Sequence, residues 1–156
     1  MNKKMRALAA GIALTLSLGL LAGCGGEKKA ADNSKKVVNV GIVQLGEHDA
    51  MDAANKGFIA GMAAKGFKEN ENVKYDRQNA QADQSNLQNI AQRFVSNKVD
   101  LICAIATPAA QTMANATKDI PIVATAVTDY EAAKLVASNS EPKGNVTGTS
   151  DINPIK

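Results

Sequence analysis

Runs of β-branched and other apolar residues alternate along this chain with stretches whose apolar residues recur at helical spacing. The runs predict five strands, and the third is apolar almost throughout, which is typical of a strand covered on both faces. Apolar strands that alternate with helices predict an α/β fold: an open parallel sheet with helices on both faces. The predicted strands are residues 37–45, a weaker one around Val73 and Tyr75, residues 99–106, residues 122–127 and residues 145–149.

The first two predicted helices follow the first two strands. Residues 49–65 carry an apolar stripe at helical spacing that stops at Gly66. Asp83 or Ser85 can cap the second helix. Its apolar residues fit the template for one buried helix face, and they are Leu87, Ile90, Ala91, Phe94 and Val95.

Two further helices are predicted after the third and fourth strands. Thr107 and Pro108 predict a third helix, with the threonine as N-cap and the proline at the first helical position. Thr128 and Asp129 predict the start of a short helix that runs to about Leu135.

Three polar segments sit where such a sheet binds ligands. Binding occurs beyond the carboxyl ends of the strands, at the point where the strand order reverses. With the flavodoxin-like order 2-1-3-4-5, that point lies between strands one and three, next to residues 44–49 and 107–111, with residues 127–129 nearby. The candidate binding residues are Gln44, Glu47, His48, Thr107, Pro108, Ala109, Ala110, Thr128 and Asp129.

The start of the third predicted helix suits an anion. The first N–H groups of a helix lack internal partners and carry the positive end of its dipole. The small side chains of Ala109 and Ala110 leave room for a carboxylate there, and Thr107 offers a hydroxyl. On the residues alone, a plain helix start capped by its own threonine is the simpler interpretation.

The charged candidates have two interpretations each. His48, the single histidine, is either a ligand contact or a solvated loop residue. Glu47, Asp49 and Asp52 are favoured by the helix dipole alone, but one of them could bind a ligand ammonium. Asp129 is either a ligand contact or the cap of the helix after it.

The motifs of catalysis are missing from the sequence. It has no nucleophile elbow, no second histidine, no His or Cys pair at metal spacing, and no dinucleotide or phosphate-binding glycine loop. We therefore predict no catalytic residues, no metal and no cofactor. Cys103 lies inside the third apolar run and is predicted to be a buried free thiol.

The first 36 residues predict export and a membrane anchor. A basic start, an apolar run and a small-residue site make residues 1–23 a signal peptide. The sequence Leu-Ala-Gly-Cys that ends at Cys24 resembles the lipobox of bacterial lipoproteins, which implies a lipid on Cys24 and a place on the outer side of the cell membrane. Residues 24–36 read as a flexible tether.

The signal peptide also accounts for the excess of positive charge. Lys3, Lys4 and Arg6 supply the whole formal charge of +3, so the mature chain is neutral. With no basic stripe and no aromatic residues among its basic ones, the chain is not expected to bind nucleic acid.

Four segments in this order and spacing resemble the ABC-transporter substrate-binding proteins of the tryptophan/tyrosine-uptake type. They are residues 51–58, 107–111, 127–129 and 145–151. The resemblance implies a type I periplasmic-binding fold, with two α/β lobes that close on a small ligand and dock on a membrane permease. It also implies an aromatic amino acid or similar small carboxylate as ligand, with the carboxylate at Thr107.

The resemblance covers residues 37–156, which correspond to the N-terminal lobe. The chain stops where the family crosses into its second lobe, so we expect a fragment or truncated form. Two other functions stay open on the sequence: a surface-anchored flavodoxin-like enzyme, and a non-catalytic interaction or sensor lipoprotein.

Overall fold

A computed structural model describes residues 36–152 of the 156-residue chain. Residues 1–35, which include the predicted signal peptide, Cys24 and most of the predicted tether, lie outside the described residues. The elements are β1 (Val38–Gln44), α1 (Asp49–Ala64), β2 (Val73–Asn79), α2 (Gln84–Ser96), β3 (Leu101–Ile105), α3 (Thr107–Ala116), β4 (Ile122–Val127) and β5 (Val146–Ser150). All strand pairs are parallel and the order is β2-β1-β3-β4-β5, which confirms the predicted fold.

Helices cover both faces of the sheet, and β3 shows why its sequence is apolar throughout. Successive side chains of a strand point to opposite faces. Ile102 and Ala104 belong to the core beneath α2 and α3, whereas Cys103 and Ile105 belong to the core beneath α1. Neither face of β3 meets water, so neither face carries a polar residue.

The helix α2 packs directly on the backbone of β1. A Cβ atom at Gly41 would lie 2.7 Å from the ring of Phe94, which is fully buried. The carboxylate of Asp83 caps the helix, because its Oδ1 accepts a hydrogen bond of 2.8 Å from the Asn86 N–H. The prediction that Val95 is buried is wrong: it is 36% exposed, because the other four predicted residues fill the face against the sheet.

The junction between β3 and α3 departs from the prediction that Thr107 is the N-cap. Thr107 is the first helical residue, and Ala106 takes the cap position with φ 87° and ψ 152° and no side-chain hydrogen bond. The strand ends at Ile105, so one residue must make the whole turn into the helix. Such backbone angles are almost confined to glycine and cost an alanine of the order of 1–3 kcal/mol.

The short helix predicted after β4 is also wrong. Residues 130–134 form consecutive turns, in which Asp129 Oδ1 accepts hydrogen bonds from the N–H groups of Glu131 (2.9 Å) and Ala132 (3.0 Å). Lys134 then adopts a left-handed conformation, with φ 56°, which stops helical propagation.

A tyrosine hydroxyl from these turns bridges β4 and β5. Tyr130 Oη lies 2.8 Å from the carbonyl oxygen of Ala124 and 3.1 Å from that of Thr149, at an irregularity in the pairing of β4 with β5. Burial is the main cause that raises the pKa of Tyr130 to about 12. A Cβ atom at Gly148 would overlap both Ala124 O and this hydroxyl.

The close approach at Gly148 predicts that even a methyl group destabilises the lobe. We expect Gly148→Ala to lower the free energy of unfolding by about 1–3 kcal/mol, because a backbone carbonyl cannot move aside cheaply. Gly57→Ala is the matched control: it has open space in α1, and we expect a gain of about 0.5–1 kcal/mol. Urea unfolding of both variants measures the difference, and equal stability for the two would contradict the packing argument.

The backbone of Ala106 generates a second stability prediction. Ala106→Gly loses a buried methyl group but relieves the strained φ, so we expect an unfolding free energy equal to or above that of the parent chain. Ala109→Gly removes a buried methyl group from regular helix, with an expected loss of about 1–2 kcal/mol. Equal losses in the two variants would show that Ala106 is not strained.

Candidate functional site

The carboxyl ends of β1, β3 and β4 meet in one row, which we call the carboxyl edge. The Leu45 N–H donates to Ile105 O at 3.3 Å, and the Ala106 N–H donates to Thr125 O at 3.0 Å. Because α1 lies on one face of the sheet and α3 on the other, their amino ends diverge at this edge. The structure therefore brings the three predicted loops together at the reversal of strand order.

Gln44 ends β1 and lies beneath the loop rather than in it. Its side chain is 4% exposed, and its Nε2 donates to Gly46 O at 2.7 Å and to Asp52 Oδ1 at 2.6 Å. Asn55 Nδ2 lies 3.4 Å from Gln44 Oε1. The Gln44 side-chain amide thus connects the loop after β1 to the first two turns of α1. Asn55 was not among the predicted site residues.

His48 and Glu47 lie on the surface of that loop. His48 is the N-cap of α1, and its Nδ1 accepts a hydrogen bond of 3.1 Å from the Ala50 N–H. This contact assigns Nδ1 as the unprotonated ring nitrogen. Both residues are exposed at the carboxyl edge, open to a ligand from solvent.

The amino end of α3 presents unpaired backbone donors at the same edge. The Ala110 N–H is satisfied by Ala106 O at 3.0 Å, and Pro108 has no N–H. The N–H groups of Thr107 and Ala109 therefore remain without a partner among residues 36–152. Ala109 and Ala110 are fully buried, backbone included, so the prediction that they meet a ligand is wrong, because their small side chains pack into the core; of this segment only Thr107 and Pro108 reach the surface.

The loop after β4 completes the row, together with the end of β5. Thr128 and Asp129 are both exposed. Ser150 Oγ donates to Thr128 O at 2.7 Å, and the Asp151 N–H donates to Val127 O at 3.2 Å. Ser150 and Asp151 were not among the predicted site residues, although a fifth parallel strand next to β4 must end at the same edge.

The charge along the carboxyl edge is acidic. Carboxylates follow four strands here, and within the described chain they form no group of His, Cys, Asp and Glu that could hold a metal ion. The acidic residues are Glu47, Asp49, Asp52, Asp83, Asp129 and Asp151. A row of carboxylates beside the positive end of a helix offers separate contacts for a cationic and an anionic group.

The only cysteine in the described range is not available for chemistry. Cys103 is fully buried in β3, and burial raises the pKa of its thiol to about 12. The prediction of a buried free thiol is confirmed. Among residues 36–152 there is also no helix of the length and apolarity that crossing a membrane requires.

A groove of ≈ 370 Å³ runs alongside α3, and Pro108 is the one predicted site residue that lines it. Its walls come from the start of α2, the outer side of α3 and the turns after β4, and include Gln84, Gln111, Thr112 and Lys134. The carboxyl edge itself is an open surface that a second surface would have to cover to enclose a ligand.

Comparison with known proteins agrees with this geometry. The family model described as "ABC transporter substrate binding protein" matches residues 39–156. A curated tyrosine-binding protein of Clostridioides difficile (strain R20291) is 50% identical over 159 residues, which cover 97% of this chain and 46% of that protein. The chain thus spans about half the length of this curated relative.

Two solved structures share the fold at high identity. A ligand-free, open substrate-binding protein with adhesive properties from Clostridium difficile is 51% identical, with a TM-score of 0.75 over 76% of this chain and 40% of that one. An ABC domain in complex with L-Trp from Streptococcus pneumoniae is 42% identical, with a TM-score of 0.73 over the same shares.

These matches confirm the resemblance to the tryptophan/tyrosine-uptake type and the assignment to a lobe of a type I periplasmic-binding fold. The family consists of solute-binding proteins. Since its model covers most of the sequence, this chain belongs to the ABC transporter substrate-binding protein family.

Proposed function

We propose that this chain forms the N-terminal lobe of a lipid-anchored, extracytoplasmic solute-binding protein that delivers an aromatic amino acid to an ABC importer. The amino acid lies across the carboxyl edge, and a second lobe covers it. The relatives support this ligand class, since one is named a tyrosine-binding protein and another holds L-Trp.

The observation that carries the proposal is the amino end of α3. The N–H groups of Thr107 and Ala109 are unpaired there without a side-chain cap, and Thr107 is partly exposed whereas Ala109 is buried beneath it. An unpaired donor is costly unless water or a ligand satisfies it, and the helix dipole favours a negative partner. The ligand carboxylate occupies this position, with the Thr107 hydroxyl as a further donor.

The ligand ammonium is assigned to the acidic side of the same edge. Asp129 already uses Oδ1 for its own turn, so Oδ2 is the oxygen left for a ligand. Asp52 is held by Gln44 and serves instead to fix the loop that carries Glu47 and His48. A zwitterion therefore has one anionic and one cationic contact on this lobe alone.

The proposed location follows from the residues before the lobe. The signal peptide in residues 1–23 leads to export, the lipid on Cys24 inserts in the bilayer, and residues 24–36 hold the lobe away from it. The partners are then a small-molecule ligand and a membrane permease. No enzymatic step is assigned to any residue.

Binding of L-Trp can be measured by its own fluorescence, because the chain contains no tryptophan that would emit at the same wavelengths. We expect the emission anisotropy of L-Trp to rise when the full chain is added. Tryptamine lacks the carboxylate and indole-3-propionate lacks the ammonium, so both should bind about tenfold more weakly or worse. Equal binding of tryptamine and L-Trp would remove the carboxylate from the α3 terminus.

Substitutions test the two contacts separately. Asp129→Asn keeps the turn acceptor but removes the charge, and we expect it to weaken L-Trp binding about tenfold while binding of indole-3-propionate is unchanged. Thr107→Pro removes the Thr107 N–H group together with the hydroxyl, and we expect it to weaken the binding of both ligands. Asp119→Asn, an exposed carboxylate that precedes β4, is the control and should change neither affinity.

A further inference from the structure

The pairing of β4 with β5 contains one extra residue on the β4 side. Ala124 pairs with Gly148, and Val127 pairs with Ser150. Three steps along β4 therefore match two steps along β5. The ladder then resumes, because the Asp151 N–H donates to Val127 O at 3.2 Å. Such an irregularity is a β-bulge, and bulges beside binding sites turn side chains in a new direction.

The bulge places two successive side chains on one face of the sheet. Thr125 pairs with Ile105, so its side chain lies on the face that α1 covers, and Ala126 packs against the apolar cluster of that same face. The next residue, Val127, is fully buried in the core on the opposite face, beneath α2 and α3. In a regular strand Val127 would lie on the α1 face with Thr125, because alternate residues share a face.

The extra residue thereby fixes both ends of the loop that follows β4. Val127 and Tyr130 are buried in the core beneath α2 and α3, whereas Thr128 and Asp129 between them are exposed. Ser150 Oγ donates to Thr128 O at 2.7 Å and holds the loop against the end of β5. Without the bulge Val127 would leave this core, so the direction of the loop depends on the extra residue.

A single left-handed residue accompanies the bulge. Ala126 has φ 55°, in a region that glycine and asparagine adopt most readily and that β-branched residues avoid. The methyl group of Ala126 forms no hydrogen bond that could offset the strain. Strained residues persist where the surrounding structure holds them in place, and they cluster at binding sites.

We propose that Ala126 is a positioning residue for the ligand: its left-handed conformation orients Thr128 and Asp129 so that Asp129 Oδ2 faces the ligand ammonium. The inference rests on the proposed function, in which Asp129 binds that ammonium. It adds that the preference for an amino acid over the corresponding acid depends on the backbone conformation of a residue three positions before the charge.

Three substitutions at this position, in the full chain, test the proposal. Ala126→Gly and Ala126→Asn introduce residues that accept a positive φ, so we expect both to retain a preference of about tenfold for L-Trp over indole-3-propionate. Ala126→Val is similar to the asparagine variant in size but is β-branched, so we expect it to abolish the preference while indole-3-propionate binds as to the parent chain. A general loss of structure would weaken the binding of both ligands instead.

The neighbouring residue provides the matched control. Thr125→Val keeps the shape of its side chain and removes only the hydroxyl, which lies 3.3 Å from Thr149 Oγ1. We expect this variant to keep the preference for L-Trp.

The conformation can also be measured without a ligand. A positive φ brings an amide proton close to the Hα of its own residue, so residue 126 should give a strong intraresidue NOE in the parent chain and in the asparagine variant. In the valine variant we expect this NOE to weaken and the amide shifts of Thr128 and Asp129 to move.

Several results would overturn the inference. A parent chain without the strong NOE would do so, as would a folded valine variant that leaves both the loop shifts and the preference for L-Trp unchanged. If the valine variant does not fold, loss of the NOE or of the preference in the asparagine variant has the same effect. A parent chain that binds L-Trp no better than indole-3-propionate instead contradicts the ammonium contact of the proposed function, and the NOE and the loop shifts then decide whether Ala126 positions the loop.

Discussion

The parallel pairing of β1 with β3 is the contact on which the rest of the lobe depends. It joins strands separated by a whole strand-helix unit, and it reverses the direction in which the sheet grows. Because of that reversal, α1 leaves on one face and α3 on the other. The diverging helix ends leave an open row of loops between them. The position of the site is therefore determined by the strand order and not by particular side chains.

Much of this architecture could be predicted because burial leaves a strong pattern. β3 and β4 are apolar enough to show that both faces are covered, and the stripe of α2 gave four of its buried residues correctly. β2 gave a weaker signal because it lies at the edge of the sheet, where polar side chains such as Lys74 and Arg77 reach water. Patterns of burial therefore predicted the interior of the sheet better than its margins.

The details of the site were harder to predict because they depend on backbone geometry at single residues. Thr-Pro is a good cap sequence, yet β3 continues to Ile105 and leaves only Ala106 for the turn. Ala106 therefore takes the cap position and Thr107 becomes the first helical residue. Asp129 is a good cap as well, but a left-handed Lys134 ends the turns it starts. Gln44 was predicted as a binding residue but is buried, because its side-chain amide donates to Asp52 and Gly46, and spacing in the sequence does not reveal these partners.

The burial of Cys103 has a consequence for a chain that is exported as proposed above. In an oxidising compartment a free thiol can be captured by other thiols while a chain is unfolded. In the folded lobe the thiol is sealed between β1 and β4, and its raised pKa leaves almost no thiolate at neutral pH. The Cys103 thiol is therefore protected only after the central strands have assembled. Before that, the chain must fold faster than the thiol is oxidised.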